Sequence, residues 1–86
     1  MDNTVYVVRS FVFYDDTTEI VGIATSFERG EEIIKEYLTN IHNSYYETRF
    51  EIMEYRLDTR WGHRKSVYYN QDKLIEMAKE LGVYNG

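Results

Sequence analysis

Residues 50–62, FEIMEYRLDTRWG, decide the fold, and they overlap a basic and aromatic turn at residues 60–69, RWGHRKSVYY. Successive side chains of a strand point to opposite faces of its sheet. Both faces of this stretch would be apolar, with Phe50 and Ile52 on one and Met53, Tyr55 and Leu57 on the other. The stretch therefore predicts a long strand over residues 50–58 that delivers cationic and aromatic side chains to one edge of a small sheet.

Two more strands are expected upstream. Residues 5–14, VYVVRSFVFY, are rich in β-branched and aromatic residues, which favour strands. Because both of its faces are largely apolar, we expect this strand to be central and covered on both sides. Residues 15–18 form a turn sequence, and residues 19–24 complete an antiparallel hairpin. Gly22 in the second strand indicates a bulge or the close approach of a helix.

A helix is expected to follow that hairpin. Thr25 and Glu28 fit a capping box, and Ser26 is the alternative N-cap. One face at helical spacing holds Phe27, Gly30, Ile34, Tyr37, Leu38 and Ile41. Gly30 is unfavourable inside a helix, so its presence there predicts close packing on the sheet.

A short returning strand at residues 66–69 and a last helix complete the pattern. That helix is expected to begin at Asn70 or Asp72 and to end at Gly82 as its C-cap. Its inner stripe is predicted to hold Leu74, Ile75, Ala78 and Leu81. The sequence thus predicts one α+β domain over residues 1–86, with the order ββαβ(β)α and an antiparallel sheet of three to four strands.

Composition narrows the class of protein. The 86 residues include 15 acidic and 10 basic side chains, for a net charge of −5, which argues against general binding of duplex nucleic acid. There is no cysteine, hence no disulfide, and no apolar run approaches the length of a membrane span. We expect a soluble, cytoplasmic protein. So small a domain has a thin core, and a homodimer would help to stabilise it.

Catalytic chemistry is not indicated. The serines lie in no nucleophile motif, and nothing links either His42 or His63 to one of them. Neither a metal-binding motif nor a glycine-rich phosphate loop is present. We therefore expect a protein that is not an enzyme and that needs no metal or cofactor.

A basic and aromatic cluster is the candidate binding site. Half of the ten basic residues fall within residues 49–65. Guanidinium groups suit phosphate, and flat rings suit the stacking of bases. The predicted ligand-binding residues are Arg56, Arg60, Trp61, His63, Arg64, Lys65, Tyr45, Tyr46 and Tyr69. The alternative is structural: Arg56 would pair with Glu51 or Glu54 across strands, and Trp61 would fill an edge of the core.

The same stretch carries a family resemblance. The pattern F-x-I-x-x-Y-x-L-D-x-x-W runs from Phe50 to Trp61, and it resembles a family of small uncharacterised domains found in bacteria and their phages. The VYVV strand and the segment IVGIATS fit the same family, so the resemblance covers most of the chain to Lys65. It implies this fold and a phage or bacterial setting, and it assigns no catalytic residue.

Two functional hypotheses follow. The first is a non-catalytic binding protein that holds a small phosphate-bearing ligand, such as a nucleotide-type signal of host defence, at the basic and aromatic turn. The second is a protein–protein inhibitor or adaptor that acts on a host protein through an apolar sheet face. Nine tyrosines favour a binding surface, because tyrosine offers large contact area with a polar tip. Neither hypothesis involves a membrane.

Overall fold

A computed structural model describes residues 3–12, 18–40, 48–57 and 63–83, and for His63 and Arg64 it describes the backbone alone. The chain forms four strands and two helices in the order ββαββα, which confirms the α+β class. The elements are β1 (Thr4–Val12), β2 (Thr18–Ala24), α1 (Phe27–Asn40), β3 (Thr48–Arg56), β4 (His63–Tyr69) and α2 (Gln71–Leu81).

The four strands form one antiparallel sheet in the order β2-β1-β3-β4. The prediction that β1 is central is confirmed. Each outer strand meets its neighbour with one irregularity. Val21 interrupts the pairing of β2 with β1, and Arg64 interrupts the pairing of β4 with β3. Such bulges increase local twist and redirect side chains.

Both helices pack on the same face of the sheet. They contact each other as well as the strands. One buried cluster joins the two layers, with sheet residues Val8, Phe50, Ile52 and Tyr69 and helix residues Ile34, Leu38, Leu74 and Ala78. No described element packs on the other face, where the side chains of β1 are half-buried, so the prediction that β1 is covered on both sides stays a prediction.

The caps explain where the helices start and stop. The hydroxyl of Ser26 accepts a hydrogen bond from the backbone N–H of Arg29 at 3.1 Å, so Ser26 is the N-cap of α1. Asn70 caps α2 in the same way, accepting from the backbone N–H of Lys73 at 3.0 Å. Gly82 ends α2 with φ of 75°, a left-handed conformation that glycine adopts readily.

Two glycines permit close contact between α1 and the sheet. A Cβ atom at Gly30 would lie 3.3 Å from Cδ1 of Ile52, which confirms the expected close packing there. A Cβ atom at Gly22 would lie only 2.7 Å from Cδ1 of Ile33, a side chain of α1. Gly22 also lies beside the β1–β2 bulge, so both expectations for this residue are confirmed.

Some boundaries differ from the sequence-based expectation. β3 begins two residues earlier than predicted, and β4 begins three residues earlier, at His63. Pairing between antiparallel neighbours extends both strands beyond their most apolar segments. Leu81, assigned to the inner stripe of α2, is 38% exposed because it lies in the last turn. Ile41 and His42 lie outside the described residues.

Removal of the α2 cap tests this assignment. Asn70→Ala should lower the free energy of unfolding by about 1 kcal/mol, because it removes the acceptor of the Lys73 N–H. Asn70→Ser is the matched control: it retains an acceptor and should cost less than half as much. Urea unfolding followed by circular dichroism measures both. Equal losses for the two variants would contradict the capping role.

Candidate functional site

The pairing of β3 with β4 gathers four of the predicted site positions. Tyr55 is opposite His63, and Glu54 is opposite Lys65. Arg56 therefore ends one strand of a hairpin at the same edge of the sheet where His63, Arg64 and Lys65 begin the other. We call this edge the hairpin end: it consists of Arg56 and His63–Lys65, which residues 57–62 join in the sequence. The predictions for Arg60 and Trp61 concern residues outside the described ranges.

Lys65 is the member of the hairpin end with a described ion pair. Its Nζ lies 3.9 Å from a carboxylate oxygen of Glu54, and its side chain is 72% exposed. An exposed pair at that distance contributes little to stability, so the ammonium stays accessible to a ligand. Lys65 thus has a partner in Glu54, one of the two acidic residues that the structural alternative names, but the pairing is weak. Arg56, also exposed, makes contacts of its own.

Tyr69 does not join the hairpin end. It pairs with Phe50 near the opposite end of β3, and it is only 3% exposed beneath the helices. Its hydroxyl donates a 2.8 Å hydrogen bond to the carboxylate of Glu31, and the ammonium of Lys73 lies 5.2 Å from its ring centre. Burial, reinforced by Glu31, raises the pKa of the Tyr69 phenol above its ordinary value. Tyr69 is therefore a core residue rather than a stacking platform.

The two tyrosines of the preceding loop remain a prediction. Tyr45 and Tyr46 lie outside the described residues. The strand that follows them begins at Thr48, and the hairpin end lies at its far end, about 26 Å away at 3.3 Å per residue.

The side of the sheet that faces away from both helices carries many apolar side chains. We call it the open face, and its residues are Val5, Val7, Arg9, Phe11, Thr18, Ile20, Ile23, Arg49, Glu51, Met53, Tyr55, Ser66 and Tyr68. Ile20 is 61% exposed, Ile23 63% and Tyr68 48%. A sheet face that meets water usually carries polar residues at alternate positions. This one carries mostly apolar side chains, which is typical of a surface that another layer covers.

An ion pair lies at the centre of the open face. Arg9 on β1 and Glu51 on β3 are directly opposite in the sheet and form a salt bridge. The guanidinium carbon of Arg9 lies 5.8 Å from the ring centre of Phe11, and that ring lies 5.8 Å from the ring of Tyr68. Arg49, on the same face, is 9% exposed and donates to its neighbour's carbonyl oxygen. Aromatic and cationic groups are therefore already in contact along this face.

A shallow cleft between α1 and α2 was not predicted. Its volume is about 340 Å³, and its lining residues are Phe27, Glu31, Val67, Tyr69, Lys73, Glu76, Met77 and Glu80. Three carboxylates against one ammonium make it unsuited to an anion. Its residues are far apart in the sequence and meet only when the helices pack, so no local motif indicates it.

Metal binding and membrane insertion find no support in the described ranges. Within residues 3–12, 18–40, 48–57 and 63–83, no group of three or more His, Asp or Glu side chains could hold a metal ion. Neither described helix is long and apolar enough to cross a bilayer.

The fold and surfaces define a small α+β domain with a four-stranded antiparallel sheet and two helices on one face. The chain belongs to the family described as a domain of unknown function (DUF7336), whose model matches residues 3–64. The match ends near the start of β4, so α2 lies beyond it. No curated protein and no solved structure shows significant similarity to the chain. Membership confirms the expectation of an uncharacterised small domain.

The Tyr69–Glu31 contact predicts a pH dependence of stability. Tyr69→Phe should cost about 1 kcal/mol near pH 8, where the hydrogen bond is intact. The folded-state pKa of Tyr69 is raised, so its contribution is complete below the unfolded value of about 10 and declines above it. The stability difference between wild type and Tyr69→Phe should therefore shrink between pH 8 and about pH 11.

Urea unfolding at the two pH values measures this difference. Tyr68→Phe is the matched control for loss of a phenol on the opposite face of the sheet, and it should change the free energy by less than about 0.5 kcal/mol at pH 8. A difference between wild type and Tyr69→Phe that grows with pH would contradict the assignment.

Proposed function

We propose that this protein is a non-catalytic binding protein that holds a small phosphate-bearing ligand at the hairpin end. The observation that carries the proposal is the register of β3 and β4. It sets Arg56 and the run His63–Lys65 on the two strands of one hairpin, next to the connecting residues that contain Arg60 and Trp61. Cations from both strands thus meet at one edge of a protein whose net charge is −5.

The chemistry of these residues supports an anionic ligand with an aromatic part. Arginine binds phosphate through paired N–H donors, and a tryptophan ring can stack on a base. The cleft between the helices offers the opposite chemistry, because its carboxylates would repel phosphate. The hairpin end is accordingly the better anion site of the two.

A nucleotide-type signal is the ligand that we propose. It combines phosphate with a flat base, which are the two groups that guanidinium and indole side chains recognise. A protein that binds such a signal without transforming it lowers the free concentration of the signal. In the phage or bacterial setting that the resemblance implies, we propose that this sequesters a signal of host defence.

Isothermal titration calorimetry with cyclic and linear nucleotides tests the proposal. Arg60→Ala and Trp61→Ala should each weaken binding of the nucleotide with the highest affinity about tenfold or more. A hydrogen bond to a charged group contributes about 1.5–3 kcal/mol, and stacking of a base on an aromatic ring contributes about 1–3 kcal/mol. Arg29→Ala is the matched control: it removes the same charge from the outer side of α1, where Arg29 pairs with Glu32 and Glu36. The proposal fails if no nucleotide binds, or if both hairpin variants bind as tightly as the control.

A second candidate function is protein–protein binding through the open face, as an inhibitor or adaptor. The specific observation in its favour is the exposure of Ile20 and Ile23 beside a partly exposed row of apolar residues. Burying such side chains contributes about 25 cal/mol per Å² of apolar surface. In this second candidate function, a host protein would cover the open face of the sheet.

Affinity capture with the purified protein tests this candidate. One stoichiometric partner should be retained by wild type and lost by Ile23→Lys, because the new ammonium would be buried without a partner. Thr39→Lys adds the same charge at an exposed position of α1 and should retain it. Equal retention by Ile23→Lys would contradict binding through the open face.

A further inference from the structure

We infer that a second copy of this chain covers the open face, packed sheet to sheet about a two-fold axis that runs parallel to the strands, midway between β1 and β3. The inference shares with the second candidate function the premise that the open face binds protein, but it assigns a second copy of the chain, rather than a host protein, as the occupant. It leaves Arg56 and Lys65 of the hairpin end accessible, because their strand positions belong to the helix side of the sheet.

The distribution of charge favours a like partner at this face alone. The described acidic residues of α1 and α2 lie on the helix side, as do Glu19 and Glu54 by their strand positions. Among the described acidic residues, Glu51 alone belongs to the open face, and there it is paired with Arg9. Two copies with a net charge of −5 each would therefore meet with least repulsion open face to open face.

The size of the face is sufficient for a specific dimer. Four strands at about 4.8 Å spacing and about seven paired residues at 3.3 Å each give a surface of about 20 Å by 23 Å. That is about 450 Å² per copy, or about 900 Å² in the pair, and the relief of the side chains raises the total to about 1,000 Å². This is near the lower bound of specific biological interfaces.

The proposed axis determines which strands of the two copies lie above each other. Rotation by 180° about it turns the second sheet over, so β1 of one copy lies above β3 of the other, and β2 lies above β4. Positions along the strands are retained. Packed sheets keep their strand directions within about 30° and lie about 10 Å apart, so rows of side chains remain close to opposite.

The central row is complementary to itself under this rotation. Across the sheet from β2 to β4, this row consists of Ile20, Arg9, Glu51 and Tyr68. Arg9 would face the partner's Glu51, and Ile20 would face the partner's Tyr68. Two ion pairs then form a ring of alternating charge, and the exposed isoleucine meets the exposed tyrosine. The Nε–H of Arg9 has no acceptor among the described residues, and a second carboxylate above the pair would add acceptors to that guanidinium.

The neighbouring rows are complementary as well. Val7 would face the partner's Met53, an apolar pair. Val5 would face the partner's Tyr55, also apolar. Phe11 would face the partner's Arg49, which extends the cation–π contact that Phe11 already makes with Arg9. No row sets two like charges opposite each other, and this is what distinguishes the chosen axis: an axis across the strands would superpose β1 on β1 and could set Arg9 against Arg9.

Light scattering after size-exclusion chromatography tests the association. Wild type at micromolar concentration should have twice the monomer mass of 10.4 kDa. Ile20→Lys and Ile23→Lys should have the monomer mass while retaining the wild-type circular dichroism spectrum, since both side chains are exposed in the monomer. Thr39→Lys should remain a dimer.

Thiol cross-linking tests the axis. The chain has no cysteine, so introduced thiols are the only ones present. A mixture of Ile20→Cys and Tyr68→Cys proteins, treated with a short bis-maleimide after subunit exchange, should give covalent dimers that contain one chain of each. Each variant alone should give far fewer, because the axis separates like strands laterally by about 14 Å.

Each other outcome overturns the inference. A wild-type monomer mass refutes the dimer, and a partner captured through the open face would then assign the surface to a different protein. A dimer in which Ile20→Cys alone cross-links efficiently refutes the axis. Neither result affects nucleotide binding at the hairpin end, which the calorimetry measures separately.

Discussion

The packing of both helices on one face of the sheet is the constraint on which the rest of this structure depends. Val8 and Ile52, opposite each other in the two central strands, are fully buried against Ile34 of α1 and the helix layer. Gly30 permits that contact, because its missing side chain leaves room for Ile52. Both described helices lie on this side, so neither of them covers the side chains on the other side of the sheet.

The residues on that second side differ from those of a typical solvent-exposed sheet face. Strands that face solvent usually alternate apolar with polar residues, whereas the open face carries isoleucine, valine and aromatic side chains around one central ion pair. The Arg9–Glu51 pair is informative because it balances the only described acidic residue of the face. Of the ten described acidic residues, nine therefore lie on the helix side, whereas the open face carries one carboxylate and two guanidinium groups.

The hairpin end and the open face differ in their position on the sheet and in the kind of ligand that we propose for each. The hairpin end lies at an edge of the sheet, where two strands bring cationic positions together, and an edge site can bind a small ligand whether or not the face is covered. The family model matches residues 3–64, which include most of the hairpin end and of the open face. Helix α2 and most residues of the cleft between α1 and α2 lie beyond that match. The two surfaces are adjacent and share one strand position, because His63 of the hairpin end is opposite Tyr55 of the open face.

The sequence by itself determined the class of fold, the element order and the C-cap at Gly82, because these depend on residue type and spacing within a few positions. It left the start of α2 open between Asn70 and Asp72, and the structure assigns the cap to Asn70. It also gathered Arg56 with His63–Lys65, since one hairpin joins them. Only the tertiary structure removed Tyr69 from that group and buried it against Glu31, because strand parity and helix placement decide which face is covered. Whether an apolar strand face is core or surface depends on where distant helices pack, and the strand's own residues do not encode that choice.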